Sequence, residues 1–288
     1  MTLKKYLLLA VSAATFLLLP SGKVSAQTQK LNLVCLDAGH GGHDAGARGR
    51  AGMMNEKDIT LAISLKVGKL INDSLKSVKS IFTRTTDVFI PLPDRHKIAN
   101  QAGADLFVAI HVNSSPGSYE KIRTGSRTVG KGRKKRTIPV YKTIHHRETG
   151  ANGTETYVLG LHRFGQKENA ISEYSETVTE EPGLLNENDP ETAIIIAQYS
   201  QAFLKQSVTF AQKVQNNFAL KGRKDLGVKQ AGWEVIAGCV MPGVLIETGF
   251  INNPDEEQYL NTEYGQNEIA WAIFDAIRSY KRELERAN

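Results

Sequence analysis

Five short runs rich in Val, Ile and Leu, none alternating cleanly with polar residues, restrict the fold of this chain more than any other feature. They are Asn32 to Leu36, Ser80 to Arg84, Asp105 to Ile110, Thr156 to Leu159 and Val244 to Ile246. A strand wetted on one face alternates; a strand buried on both faces does not, and such strands belong to parallel sheets covered by helices. Helical patterns lie between them. Asn55 can cap a helix from Glu56 to about Asp73, with Ile59, Ala62, Ile63, Val67 and Leu70 along one face. Leu92 to Ala102, Glu191 to Phe218 and Asn267 to about Arg286 read as three more helices. This succession is the α/β pattern: a mostly parallel twisted sheet with helices on both faces.

The 288 residues are 41% hydrophobic and 23% charged, enough for one sizeable domain and too apolar for general disorder. The first 26 residues are a different material. Lys4 and Lys5, an apolar run from Tyr6 to Pro20 and the small-x-small triplet Val24-Ser25-Ala26 have the pattern of a secretory signal peptide. The run is short for a membrane span, and no other segment of the mature chain could make one. The expectation is an exported protein, periplasmic or released. Outside the cytoplasm Cys35 and Cys239 are free to pair, although two buried thiols fit equally.

The net charge of +6 is local. Residues 116–150 hold ten Lys and Arg against Glu120 and Glu148, a net +8, so the remainder gives no basic surface for nucleic acid. With no sustained apolar period, 116–152 reads as a basic loop insertion. Residues 165–190, polar and acidic in their second half, read as a surface loop or cap.

Three of the expected strands end alike. Leu33-Val-Cys-Leu-Asp37 runs into Ala38-Gly39-His40-Gly41-Gly42, Leu106 to Ile110 runs into His111-Val-Asn113, and Val244-Leu-Ile246 runs into Glu247-Thr-Gly249. Ligands of open α/β sheets gather beyond the carboxyl ends of strands. Glu56, in the first turn of a helix, adds a further carboxylate; alone it would only complement the helix dipole. Two His and one carboxylate make a tetrahedral zinc site with one position open to water, and a second carboxylate can then shuttle the proton. Spacing alone leaves open which of Glu56 and Glu247 is ligand and which is base. His43 and Asn113 are candidate substrate contacts. Arg95, beside Asp94 at a helix start, reads as a structural ion pair, while His145 and His146 read as solvated. Ser114 has no base near it in sequence for nucleophilic catalysis.

Asp37-Ala-Gly-His-Gly-Gly42, Asn55-Glu-Lys-Asp-Ile-Thr-Leu61, Ala109-Ile-His-Val-Asn-Ser114 and Val244-Leu-Ile-Glu-Thr-Gly-Phe-Ile-Asn-Asn-Pro254 together resemble the zinc-dependent N-acetylmuramoyl-L-alanine amidases of the AmiC type. Arg84, Leu92-Pro-Asp-Arg95 and Val228-Lys-Gln230 extend the likeness over nearly all of 27–288, expected to be a single catalytic amidase domain. The resemblance implies one Zn2+ on His40, Glu56 and His111, with Glu247 as catalytic base. It also implies peptidoglycan as substrate, cut between the lactyl group of N-acetylmuramic acid and the L-alanine of the stem peptide. Some relatives fold a segment over the metal that an activator protein must displace; Glu168-Asn-Ala170 resembles its start, so 165–200 is a candidate occluding segment. The rival enzyme is a zinc peptidase, and the rival non-enzyme is a wall-binding protein that has lost its ligands.

Overall fold

A computed structural model describes residues 30–178 and 190–286. The signal-peptide reading and the acidic residues Glu180, Glu181, Glu187 and Asp189 lie outside them. Six strands form the main sheet: β1 (Leu33–Ala38), β2 (Lys79–Phe82), β3 (Leu106–Asn113), β6 (Thr154–Leu159), β7 (Asp225–Ala231) and β8 (Gly243–Phe250), in the order β2-β1-β3-β8-β6-β7. β2, β1, β3 and β8 are parallel. β6 pairs antiparallel with β8 and parallel with β7.

Each central strand deals its side chains alternately to two cores. Val34 and Leu36, Val108 and Ile110, Val244 and Ile246 join the larger core, while Cys35, Phe107, Ala109 and Leu245 join the smaller one. The larger core lies beneath three long helices. These are α1 (Glu56–Ser74), with Ile59, Ile63, Val67 and Ile71; α4 (Pro190–Leu220), with Phe210, Val214 and Phe218; and α7 (Glu263–Arg286), with Ile269, Ile273, Phe274 and Tyr280. The smaller core is covered by less: α2 (Leu92–Gln101) and the single turn α5 (Glu234–Ala237) lie over it. Apolar side chains on both faces of β3 and β8 explain their lack of alternation. The short α6 (Pro254–Leu260) closes the turn from β8 to α7. Cys35 and Cys239 share the smaller core as buried free thiols, and burial pushes both thiol pKa values up.

Two readings need correction. Residues 116–152 are not a loop: β4 (Ser118–Val129) and β5 (Arg136–His146) form an antiparallel hairpin, with Gly130 and Gly132 at positive φ in its tip. A two-stranded ribbon wetted on both faces needs no apolar alternation. Its β-branched and aromatic residues, among them Ile122, Thr128, Thr137, Val140 and Tyr141, were the available signal. Residues 165–178 are not a loop either, but helix α3 (Phe164–Val178). It is pinned by Lys167, whose buried Nζ donates to Cys239 O (2.8 Å) and Met241 O (3.0 Å). β7 and α6 were also missed, although β7 carries Val228-Lys-Gln230. Among the described residues no helix is long and apolar enough to cross a membrane.

Candidate metal centre and active site

The loop after β1 turns back at once. His40 adopts φ +61, the only positive φ of a non-glycine residue among those described. Such a conformation persists only where its surroundings over-determine it, and here two buried arginines do so. Arg84 Nε donates to Ala38 O (3.0 Å) and Arg84 Nη2 to Gly39 O (2.8 Å). Arg95 Nη1 reaches Ala38 O and Arg95 Nη2 reaches His40 O, each at 2.8 Å. Arg95 also pairs with buried Asp37 at 2.8 Å, not with its neighbour Asp94, which lies 3.9 Å from Lys97. Its role is structural, as expected, with a different partner.

Glu56 is the first residue of α1, whose start is fixed by Asp58 Oδ2 accepting from Asn55 N (3.2 Å). Its buried carboxylate accepts from Val112 N (3.0 Å) through Oε1 and from Ala47 N (2.8 Å) through Oε2. Oε1 also lies 3.1 Å from His40 Nε2 and 3.1 Å from His111 Nδ1. The imidazole centroids are 5.0 Å apart, and one ligand atom from each of His40, Glu56 and His111 falls within 4.8 Å of the others. Asp44 Oδ2, 2.8 Å from His40 Nδ1, turns Nε2 toward the centre. Gly39 is required by space: a Cβ there would sit 2.5 Å from His111 Cε1.

The electrostatics fit a cation at this point. Burial alone would lower the pKa of both histidines, yet hydrogen bonding to Glu56 and its charge raise them, His40 to about 9 with help from Asp44. Burial would raise Glu56, but the two imidazoles hold it well below the usual carboxylate range. In the metal-free protein, protons supply the positive charge that this carboxylate demands. Two imidazole nitrogens and a carboxylate oxygen suit a divalent metal of the zinc type, and metal binding would displace those protons.

Glu247 stands on β8 directly opposite His111 on β3. It is buried, its Oε2 has no hydrogen-bond partner, and burial first, then the charges of Glu56 and Glu155, push its pKa to about 7. A buried carboxylate poised near neutrality has the properties of a general base.

Sequence reasoning missed Glu155, which faces Glu247 from β6. It is buried, accepts from Tyr157 Oη (3.0 Å), and also holds Asn113 Nδ2 and Lys229 Nζ. Asn113 is thus oriented at the strand end, while its Oδ1 accepts from Ser114 N (2.7 Å). His43 lies with its ring tilted against Phe89, centroids 4.2 Å apart, and is not brought into the His40–Glu56–His111 group. His145 and His146 lie on the hairpin, stacked on Tyr119 and paired with Glu120. A cavity of about 340 Å3 opens beside the centre, walled by His40, His111, Phe89, Trp233, Val235 and Leu245. It opens from the face covered by α2 and α5.

Comparison with known proteins agrees with this geometry. A family model described as N-acetylmuramoyl-L-alanine amidase matches residues 34–279. The amidase AmiA of Salmonella typhimurium is 31% identical over 258 residues, 88% of this chain and 78% of that protein. AmiA of Escherichia coli is 30% identical over 252 residues, 86% and 75% of the two chains. Among solved structures, an N-acetylmuramoyl-L-alanine amidase from Clostridium difficile 630 superposes with a TM-score of 0.55 at 25% identity, covering 87% of this chain and 97% of that one. A match that spans nearly every element of the sheet means that this chain belongs to the N-acetylmuramoyl-L-alanine amidase family, hydrolases of peptidoglycan.

Proposed function

We propose that residues 27–288 form one exported catalytic unit, most simply periplasmic, that cuts the amide between the muramoyl lactyl group and the L-alanine of the stem peptide. One Zn2+ would be held by His40, Glu56 and His111, and Glu247 would serve as the base. The observation that carries this reading is the meeting of those three donors around one point, with an unpartnered buried carboxyl beside it. When bound, the metal lowers the pKa of a water toward about 7 and polarises a carbonyl oxygen. Glu247 takes the proton of the attacking water and hands it to the departing L-alanine nitrogen. Glu155 keeps Glu247 proton-hungry by its charge. Phe89, Trp233 and Leu245 give the cavity apolar walls that strengthen these interactions by excluding water.

His40→Ala is expected to lose both metal and hydrolysis. Glu247→Gln is expected to keep the metal and lose activity by about 100-fold or more. Metal analysis of each purified variant, paired with hydrolysis of purified wall, checks this; Glu247→Gln at wild-type rate would remove the base assignment. Products of free glycan chains and intact stem peptides support the amidase. Cleavage within the peptide would instead make the protein a zinc peptidase. Occlusion of the metal by 165–200, relieved by an activator, remains part of this proposal. The described portions of that segment are residues 165–178 of α3 and 190–200 of α4, none of which lines the cavity. Deletion of 165–190 is expected to raise basal hydrolysis, and an unchanged rate would remove the idea.

A further inference from the structure

The hairpin is a large feature that the chemistry at the metal centre does not use. Its strands pack extensively only on each other, and twelve residues of β4 extend roughly 40 Å at the usual rise per residue. Between Ser118 and His146 it carries nine Lys and Arg and a single acid, Glu120. Like charges gathered on one ribbon repel, so this composition does nothing for folding. The register places Lys121, Arg123, Tyr141 and the Tyr119–His145 stack (4.6 Å) on one face. Arg127, Arg136 and Lys142 fall on the other. Five cations therefore lie along the two faces of the ribbon, and the other four, Lys131, Arg133, Lys134 and Lys135, lie in the turn at its tip. Positive charge spread over the length of the arm suits a repeating anion better than a single ligand.

The root of the hairpin is fixed at the rim of the active site. Asn252 Oδ1 accepts from Ser115 N (3.0 Å), and its Nδ2 donates to Ser115 O (2.7 Å) and Arg147 O (2.8 Å), tying both legs together. Ile251 N donates to Asn113 O (2.9 Å) alongside. These residues directly continue the strands that carry His111 and Glu247. The base of the arm therefore stands beside the site.

We infer that the β4–β5 hairpin is a substrate-holding arm that binds the free carboxylates of peptidoglycan stem peptides next to the one being cut; the identity of the polymer rests on the amidase reading above. An anionic lipid surface fits less well, because the exposed apolar side chains Ile122 and Val140 are interleaved with cations and form no continuous inserting face.

The test uses the full exported chain carrying Glu247→Gln, so that the wall is not digested, with and without Lys121→Gln, Arg123→Gln, Arg127→Gln and Lys142→Gln. Co-sedimentation with purified sacculi is measured across a salt series, using sacculi stripped of phosphate polymers. The four-site variant is expected to bind about tenfold more weakly at low salt and to show a shallower salt dependence than the parent. Amidating the stem carboxylates should weaken the parent equally. With Glu247 restored, the four-site variant should cut a soluble muramoyl-peptide within about twofold of wild type, which also shows that it is folded. Unchanged sacculus binding in the variant would overturn the proposal. So would binding lost on removing the phosphate polymers, or salt-sensitive binding to anionic phospholipid vesicles instead of sacculi. If the wild type fails to cut the soluble substrate, the amidase reading falls while the binding result still stands.

Discussion

Glu247 illustrates how a catalytic side chain costs stability. Its folded pKa of about 7 lies above the unfolded value near 4.5. Between those values the metal-free folded protein holds a proton that the unfolded chain has released, so stability falls as pH rises through the window. The loss is up to about 3 kcal/mol. Glu247→Gln removes it, so the metal-free variant should resist urea better than metal-free wild type at pH 8 and no better at pH 4.5. Equal urea midpoints at pH 8 would show that the carboxylate is better solvated than its surroundings indicate. His111 and Glu247 were legible in the sequence because each ends a buried apolar run, where a charged residue needs a reason. Glu155 was not. In Thr154-Glu-Thr-Tyr157 nothing marks it, and its importance arises only from the pairing of β6 with β8, partners separated by some ninety residues.

At the level of elements, α3 rests on one buried cation. Burial lowers Lys167 from near 10.5 to about 8, despite its two carbonyl partners. Between those pH values the unfolded chain binds the proton that the folded chain has shed, so this residue's contribution to stability rises with pH across about 8 to 10.5 and is flat below. The difference in unfolding free energy between wild type and Lys167→Met should follow that curve; a difference independent of pH from 7 to 10 would contradict it. Such a lysine, in a polar stretch with no apolar period, looks solvated in sequence, which is why α3 was read as a loop. The hairpin escaped for a complementary reason: pattern reading detects burial, and β4 and β5 bury almost nothing. The helices α1, α4 and α7 were read to within a few residues because each lays an apolar stripe on the sheet, and α2 because Asp94 stands near its start and Gly103 just after its end.

For the whole molecule, the proposed metal joins three separate parts of the chain: the loop after β1, the start of α1 and the end of β3. A ligand that binds only the folded state stabilises it by mass action, about 4 kcal/mol when free metal exceeds its dissociation constant a thousandfold. Chelation should therefore lower the melting temperature, and zinc should restore it in wild type but not in His40→Ala. No shift on chelation would exclude a bridging ion. The sheet order itself was only partly readable. Parallel β1, β2, β3 and β8 follow from their apolar composition, whereas the reversal at β6 depends on long-range pairing that no local pattern encodes.

The alternation of side chains between a thick and a thin helical layer has a further consequence. Asp37, His111 and Glu247 occupy the same strand parity as Cys35, Ala109 and Leu245, so the reactive groups emerge on the lightly covered flank. A wall mesh is nearly planar at this scale, and only one broadside of the protein can engage it, with α1, α4 and α7 turned outward. Loss or gain of a single residue within β8 would rotate Glu247 beneath those helices, silencing the enzyme while its sheet remained intact.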